Sequence, residues 1–337
     1  MSRYVALSKP SHTVWGTAIG VDSYLDAITE TLSEDNQVIF DEDISNRSPR
    51  GQSAGPFEPS GSVTINPRPN TVGYLFAGVL GSSTVTTLVG PPTGCSNTKE
   101  HTIKQNEDNK IPNLTIDVAM SNPTNIGVRR YDSAVIDGLE LTHDSEGRLE
   151  LVADFMGRSM SINHDVGTPS FSTLNPFVFH MGTLSIASVA NTDVQNMSVR
   201  IRNNHTRKPE ANSRFPGKPK PGPLLVEGTL DLSFENRNQM RRFLGSSTAT
   251  SPQDSLSSFE LRMTWTSYTS TESCVAGTAY YKLTMLMPAV ILTTSSANID
   301  KQEPMVHNLG FRALYDSGTS TPITVSIINL DSSAYIT

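Results

Sequence analysis

The sequence predicts a mainly β protein built as two tandem β-sandwich or barrel-like domains, each with one short flanking helix. Three observations lead there. Of 337 residues only 36% are hydrophobic and 18% charged. The remainder is rich in Ser, Thr, Asn and Gly, which suits strands and turns better than helix bundles. Short segments alternate apolar with polar residues, the period of a half-buried strand. The chain also repeats itself at about half its length, the signature of a duplicated fold.

Gly61-Ser-Val-Thr-Ile65 in the first half corresponds to Gly228-Thr-Leu-Asp-Leu232 in the second. Leu80-Gly-Ser-Ser-Thr84 returns as Leu244-Gly-Ser-Ser-Thr248 at nearly the same offset. Val63 and Ile65, like Leu230 and Leu232, alternate with polar neighbours and read as strands. Asn70 to Leu80 and Glu235 to Leu244 read as short helices stopped by Gly81 and Gly245 at the left-handed cap position. Leu114 to Val118 and Phe259 to Trp265 alternate strictly. Tyr131 to Leu141 with Arg148 to Phe155 match Tyr280 to Leu292 with Val306 to Leu314, and the turn Asp144-Ser-Glu-Gly147 signals a hairpin. Order and spacing agree better with duplication than with chance, giving domains 1–168 and 169–337.

A turn-rich segment precedes each Gly-started strand, and the two carry opposite charge. Glu30 to Glu58 holds Asp41, Glu42 and Asp43 among seven acids against Arg47 and Arg50; Val199 to Gly222 holds Arg200, Arg202, Arg207, Lys208, Arg214, Lys218 and Lys220 against Glu210. The second segment is dense in Pro and Gly, so it should not fold on itself and should project as an extended arm. It can be a solvated loop. It can contact nucleic acid, although no aromatic platform for base stacking is interleaved. The favoured reading is docking onto an acidic surface of a neighbouring copy, for which the first arm is the complement.

Much chemistry is excluded. A net charge of −7 argues against a dedicated nucleic-acid binder. Gly51-Gln-Ser-Ala-Gly55 spells a nucleophile elbow, but Pro49 and Pro56 flank it where a strand and a helix are required. The seven histidines lack the spacings that ligate metal, and Gly90-Pro-Pro-Thr-Gly94 lacks the backbone donors of a phosphate loop. No enzyme, cofactor or metal site is expected. The sequons at Asn46, Asn113, Asn196 and Asn204 matter only on a secretory route, and neither a signal peptide nor an apolar run of bilayer length is present. Cys95 and Cys274 can pair with each other, but two free thiols in a reducing cytosol are expected.

These ordered features resemble the tail tube (major tail) proteins of long non-contractile-tailed bacteriophages, in a duplicated form. The residues that carry the resemblance are Val14-Trp-Gly-Thr17, Arg47 to Arg50, Gly61 to Ile65 and the Gly73-Tyr-Leu-Phe…Leu-Gly81 helix. To these are added the hairpin from Tyr131 to Leu141 through Leu149 to Gly157, and Val199-Arg-Ile-Arg-Asn-Asn204. The resemblance implies a structural virion protein, assembled in the host cytoplasm, whose rings stack into a hollow tube conducting DNA. It also implies a sandwich with a flanking helix, inner strands joined between subunits, and tape-measure, tail-tip and terminator proteins as partners. DNA would only pass through the lumen. Where single-repeat members form hexamers, two repeats per chain imply three chains. The alternative is a β-sandwich module binding carbohydrate or a host surface. It should show an exposed aromatic cluster, whereas Trp15 and Trp265 stand alone.

Overall fold

The computed structural model describes residues 3–108, 110–121, 126–145, 147–298 and 305–336. The protein is mainly β, as its alternating segments require. The first half supplies β1 (Tyr4–Ser8), β2 (Val21–Leu25), β3 (Ala27–Glu30), β4 (Val38–Asp41), β5 (Gly51–Ala54), β6 (Ser60–Ile65), α1 (Val72–Leu80), β7 (Gly81–Thr87), β8 (Lys99–Gln105), β9 (Leu114–Ser121), β10 (Ile126–Asp144), β11 (Leu149–Gly157) and β12 (Met160–His164). The second supplies β13 (Gly182–Ile186), β14 (Val189–Asn191), β15 (Val194–Arg202), β16 (Thr206–Lys208), β17 (Gly217–Lys220), β18 (Leu225–Ser233), α2 (Asn238–Phe243), β19 (Phe259–Cys274), β20 (Gly277–Ser296), β21 (Val306–Ala313) and β22 (Thr324–Asn329). Glu146, in the expected turn 144–147, lies outside the described residues.

Every ladder between these strands is antiparallel, and the two halves repeat each other's register. Strands β3, β6, β11 and β10 pair in that order, as do β15, β18, β21 and β20. Ala27 opposite Ile65 corresponds to Val194 opposite Leu232, and Glu30 opposite Val63 to Met197 opposite Leu230, all at the offset that carries Gly61 to Gly228. Even the irregularities recur. The ladder slips between Ala27 and Thr29 and again between Val194 and Asn196. It slips between Ile136 and Gly138 and, in the second half, between Leu292 and Thr294. A second sheet repeats as β2-β1-β9-β10 and β14-β13-β19-β20. A bulge costs ladder bonds and re-aims a strand, so its presence in both halves marks it as part of the design.

The halves are joined edge to edge. The end of β10 pairs with β15 from Gly138 opposite Arg202 to Asp144 opposite Asn196, making one eight-stranded sheet, β3-β6-β11-β10-β15-β18-β21-β20. A second link pairs β8 with β22. On one face of the long sheet Leu139, Leu151, Val199, Leu230 and Phe311 enter a single buried cluster drawn from both halves. The opposite face is polar, as the period-2 alternation dictates.

Helix α1 is buried except for Tyr74 and ends where expected, at Gly81, whose φ of 87° suits a residue without Cβ and whose N–H donates to the Ala77 carbonyl. Gly73 is needed for close approach: a Cβ there would strike the ring of Tyr335. That ring is fully buried, its hydroxyl accepts 2.6 Å from Asn329 Nδ2, and its backbone N–H reaches Ser83 Oγ, so the end of the chain is stitched over α1. Helix α2 is shorter than the expected Glu235–Leu244. Asn236 Oδ1 takes the Asn238 N–H, an Asx turn that delays the helix, and Gly245 has φ 129°, outside the left-handed helical region.

The expectation of two free thiols is corrected. Cys95 and Cys274 form a disulfide across 179 residues. The long β19–β20 hairpin carries Cys274 to its tip, and the β8–β22 link brings the β7–β8 loop with Cys95 beside it.

Candidate assembly surfaces

The repeat extends into both charged arms. β4 and β5 pair with Val38 opposite Ala54 and Asp41 opposite Gly51; β16 and β17 pair with Thr206 opposite Lys220 and Lys208 opposite Gly217. At the offset that relates the strands, Asn36 corresponds to Asn203, Arg47 to Arg214, Pro49 to Pro216 and Gly55 to Gly222. Gln37 and Asn204 both have positive φ, 26° and 48°, and a Cβ on Gly55 or Gly222 would meet the carbonyl of Gln37 or Asn204. The arms are one hairpin written twice with opposite charge.

Two expectations are therefore corrected. The Pro/Gly-rich arm does fold on itself, because Pro219 falls between the paired residues, where its missing N–H costs no ladder bond. And Ser53, in the elbow-like motif, lies on β5, the return strand of the acidic hairpin, with no helix following it.

The basic arm lies across the junction, on the first half of its own chain. Arg214 donates to Asn36 Oδ1, its carbonyl accepts from Phe57 N at 2.8 Å, and its guanidinium sits 5.8 Å over the Phe57 ring. Phe215 meets Phe57 edge to face, and Trp15 Nε1 donates 3.0 Å to the Pro216 carbonyl. Arg207 donates to the Gly157 and Pro59 carbonyls and stands 3.8 Å from Glu58. Of the other named charges, Arg50 pairs with Asp43 at 3.4 Å and Lys208 with Glu210 at 3.3 Å. Burial lowers the Lys218 pKa, while Asp41, Glu42, Arg47 and Lys220 are exposed. Among the described residues no ion pair joins Asp41, Glu42 or Asp43 to the basic arm.

Arg200 and Arg202 are not arm residues at all. They lie on β15, on the polar face of the long sheet, where Arg200 stands 3.5 Å from Glu140 and 3.9 Å from Asp154. Burial raises the Asp154 pKa against the opposing pull of Arg200.

Sequence reasoning missed the two ends of the long sheet. Strand β3 pairs with β6 on one side only, and β20 beyond Val290 with β21 only, among the described residues. Thr31 and Ser33 donate to Ser62 and Ser60, so the main chain of Glu30, Leu32 and Glu34 points outward. Arg129 covers part of that edge: it donates 3.1 Å to the Leu32 carbonyl, chelates Glu30 at 2.9 Å and reaches Glu34 at 3.5 Å. Beside β3 runs a groove of about 1000 Å³ lined by Met120, Ile28, Ile162 and Phe171.

The equivalent hollow in the second half is filled. Trp265 stands where Met120 stands in the first repeat. It is wholly buried, whereas Met120 is 48% exposed. What covers Trp265 is His143, from the end of β10, at 5.5 Å between ring centres. Burial in that apolar place lowers the His143 pKa to about 4.

A continuous sheet with an unmatched strand at either end is the shape of a subunit made to be extended. The family described as phage tail tube protein matches residues 11–313. The chain belongs to that family. This tail tube protein is accordingly a structural component of the phage tail and virion. No curated protein matches it. Among its described residues no helix is long and apolar enough to cross a membrane. The one group close enough to hold a cation among those residues is Cys95, Glu272 and Cys274, whose sulfurs are already spent on each other.

Proposed function

We propose that this tail tube protein closes head to tail into rings and that the rings stack into the hollow tube conducting phage DNA to the host, three chains giving six repeats. The β10–β15 ladder carries this reading. It is a finished seam between one repeat and the next, and each chain presents the two open halves of the same seam at the ends of its sheet. With β20 in place of β10 and β3 in place of β15, the internal register sets Thr294 of one copy opposite Asp35 of the next and Ser296 opposite Ser33. Ser295 then turns its N–H outward, as Leu139 does toward β15. Pairing satisfies edge groups that otherwise invite uncontrolled association. Leu32 exchanges its bond from Arg129 for one from the neighbour, and the groove beside Met120 receives the neighbour's β20 end as Trp265 receives His143.

A closed ring of such sheets has a polar face and an apolar one. The polar face carries Arg200, Arg202 and Arg312 against Glu140, Glu150, Asp154, Glu227 and Asp231. Its slight acidic excess suits a lumen that must let DNA slide, since phosphates bind basic walls strongly. The exposed charges Asp41, Glu42, Arg47 and Lys220 are left for contacts with the next ring or copy, and the ends of the tube for other tail proteins.

Sedimentation and negative-stain microscopy of the purified protein test the reading. The wild type should give rings at the mass of three chains, and Ser295→Pro should give folded monomers, because it removes the outward amide of an edge strand; Ser295→Ala, which loses only the 2.8 Å bond between the Ser295 hydroxyl and His307, should still form rings. Rings undiminished by Ser295→Pro would refute the β20–β3 seam.

A further inference from the structure

We infer that Asn36 and Arg47 form a two-point polar clamp across the seam between copies; the inference rests on the ring reading and assigns residues to it. The observation is what their counterparts do inside the chain. Asn203 leaves β15 at its junction end, and its Nδ2 donates 2.9 Å to the Val79 carbonyl and 3.1 Å to the Ile136 carbonyl. Val79 is near the last turn of α1, where carbonyls lack partners along the helix. Ile136 sits at the β10 bulge, where the ladder releases its carbonyl. One amide therefore ties helix, bulge and incoming repeat together.

Every part of this arrangement has a copy at the open end. Asn36 is the first-repeat counterpart of Asn203, with the same positive-φ residue after it. Phe243, at the end of α2, corresponds to Val79 through the shared Leu-Gly-Ser-Ser-Thr segment. The match is structural as well as verbal: Asn106 N donates to the Leu80 carbonyl, and Gln253 N donates to the Leu244 carbonyl, both at 2.8 Å. Leu292 corresponds to Ile136 at the same bulge. The Asn36 amide of one copy thus meets the Phe243 and Leu292 carbonyls of the copy before it.

The second limb runs the same way, from the later copy to the earlier. In the chain, Arg214 of the basic arm donates to Asn36 Oδ1, holding the side chain by its oxygen and leaving its N–H2 to point outward. Arg47 is the counterpart of Arg214, and Asn203 that of Asn36. Arg47 of one copy therefore donates to Asn203 of the copy before it. Arg47 is exposed in the isolated chain, and Asn203 uses only its Nδ2 in the bonds above, so both groups have this capacity free.

The test compares the two seams in one protein. Arg47→Gln should leave the urea midpoint of the monomer unchanged, Asn36→Leu should lower it only by the loss of its exposed bond from Arg214, and both should raise the concentration needed for rings about tenfold or more, the scale of one to two hydrogen bonds to a charged or buried partner. Asn203→Leu, whose bonds already exist in the chain, should lower the urea midpoint. Ser295→Pro is the control for the ring itself. If Ser295→Pro abolishes rings while Asn36→Leu and Arg47→Gln assemble at the wild-type concentration, the clamp is wrong and the ring stands. If Ser295→Pro also assembles normally, both fall. Loss of monomer stability in Asn36→Leu equal to that in Asn203→Leu would make Asn36 a residue of the internal fold and overturn the clamp.

Discussion

Phe311 lies over Gly228 across the β18–β21 ladder, so close that a Cβ on the glycine would strike the ring at 2.6 Å. Phe155 stands opposite Gly61 at the corresponding register of β6 and β11. In the second repeat the glycine lets an aromatic ring lie on the main chain, the pairing that repairs a glycine in a sheet. Gly228→Val should therefore overpack the site and cost about 2 kcal/mol, read as a lower urea midpoint with unchanged slope. Gly61→Val should cost at least as much, because Gly61 also has φ 151° and abuts the Thr31 carbonyl. A neutral Gly228→Val would show that the ring has room to move aside.

Tyr335 is the buried anchor of the segment that follows β22. Tyr335→Ala removes a buried ring that fills the notch at Gly73 and a hydroxyl bound by Asn329, and should destabilise by about 3–5 kcal/mol. Tyr335→Phe keeps the ring and removes a hydroxyl shared by Asn329 and Asp331, while Asn329 Nδ2 keeps its bonds to the Pro69 carbonyl and Asp331, so it should cost about 1 kcal/mol. Equal losses for the two would place the whole effect in the hydroxyl.

Burial sets a pH dependence. His143 titrates near 4 when folded because its surroundings are apolar, and Asp144 opposes that shift weakly. The unfolded chain, with an ordinary imidazole near 6.5, binds the proton first. Stability is thus complete above the unfolded value and is lost as pH falls from there toward 4. Burial lowers the pKa of His101, His205 and His307 as well. His143→Phe should make the urea midpoint fall less between neutral pH and the folded pKa; an unaltered slope would exclude His143 as a contributor.

Cys95 and Cys274 close a loop of 179 residues, for which the chain-entropy argument sets a ceiling of about 5 kcal/mol and bonds of this kind typically deliver about 2–4 kcal/mol. Cys274→Ser should unfold at correspondingly lower urea, and reducing agent should bring the wild type to the same midpoint. If reductant has no effect on the wild type, the bridge contributes nothing to the fold.

Much of this was legible in the sequence. Alternation placed β9, β11, β18 and β21, Gly81 placed the end of α1, and the return of segments 61–65 and 80–84 at 228–232 and 244–248 exposed the duplication. The arms were harder, because opposite charges hid their common origin: Asn36 and Asn203, Arg47 and Arg214, Pro49 and Pro216, Gly55 and Gly222, and Pro56 and Pro223 alone keep the match. Their hairpin pairing escaped notice because prolines suggested an extended chain, and Pro219 happens to fall outside the paired positions. The disulfide escaped because no local pattern relates Cys95 to Cys274; their proximity is made by a strand pairing between the two halves. Met120 and Trp265 look unrelated until registers align them, and then differ only in whether a neighbour is covering them.

The β10–β15 pairing has one more consequence. Its two strands are tethered, so one partner sees the other at a fixed effective concentration however dilute the protein is. The β20 and β3 edges enjoy no such tether and must find each other by diffusion. A ring built from these chains would therefore have alternating seams of unequal permanence, three that survive any dilution and three that open first, and it would come apart into whole chains rather than single repeats.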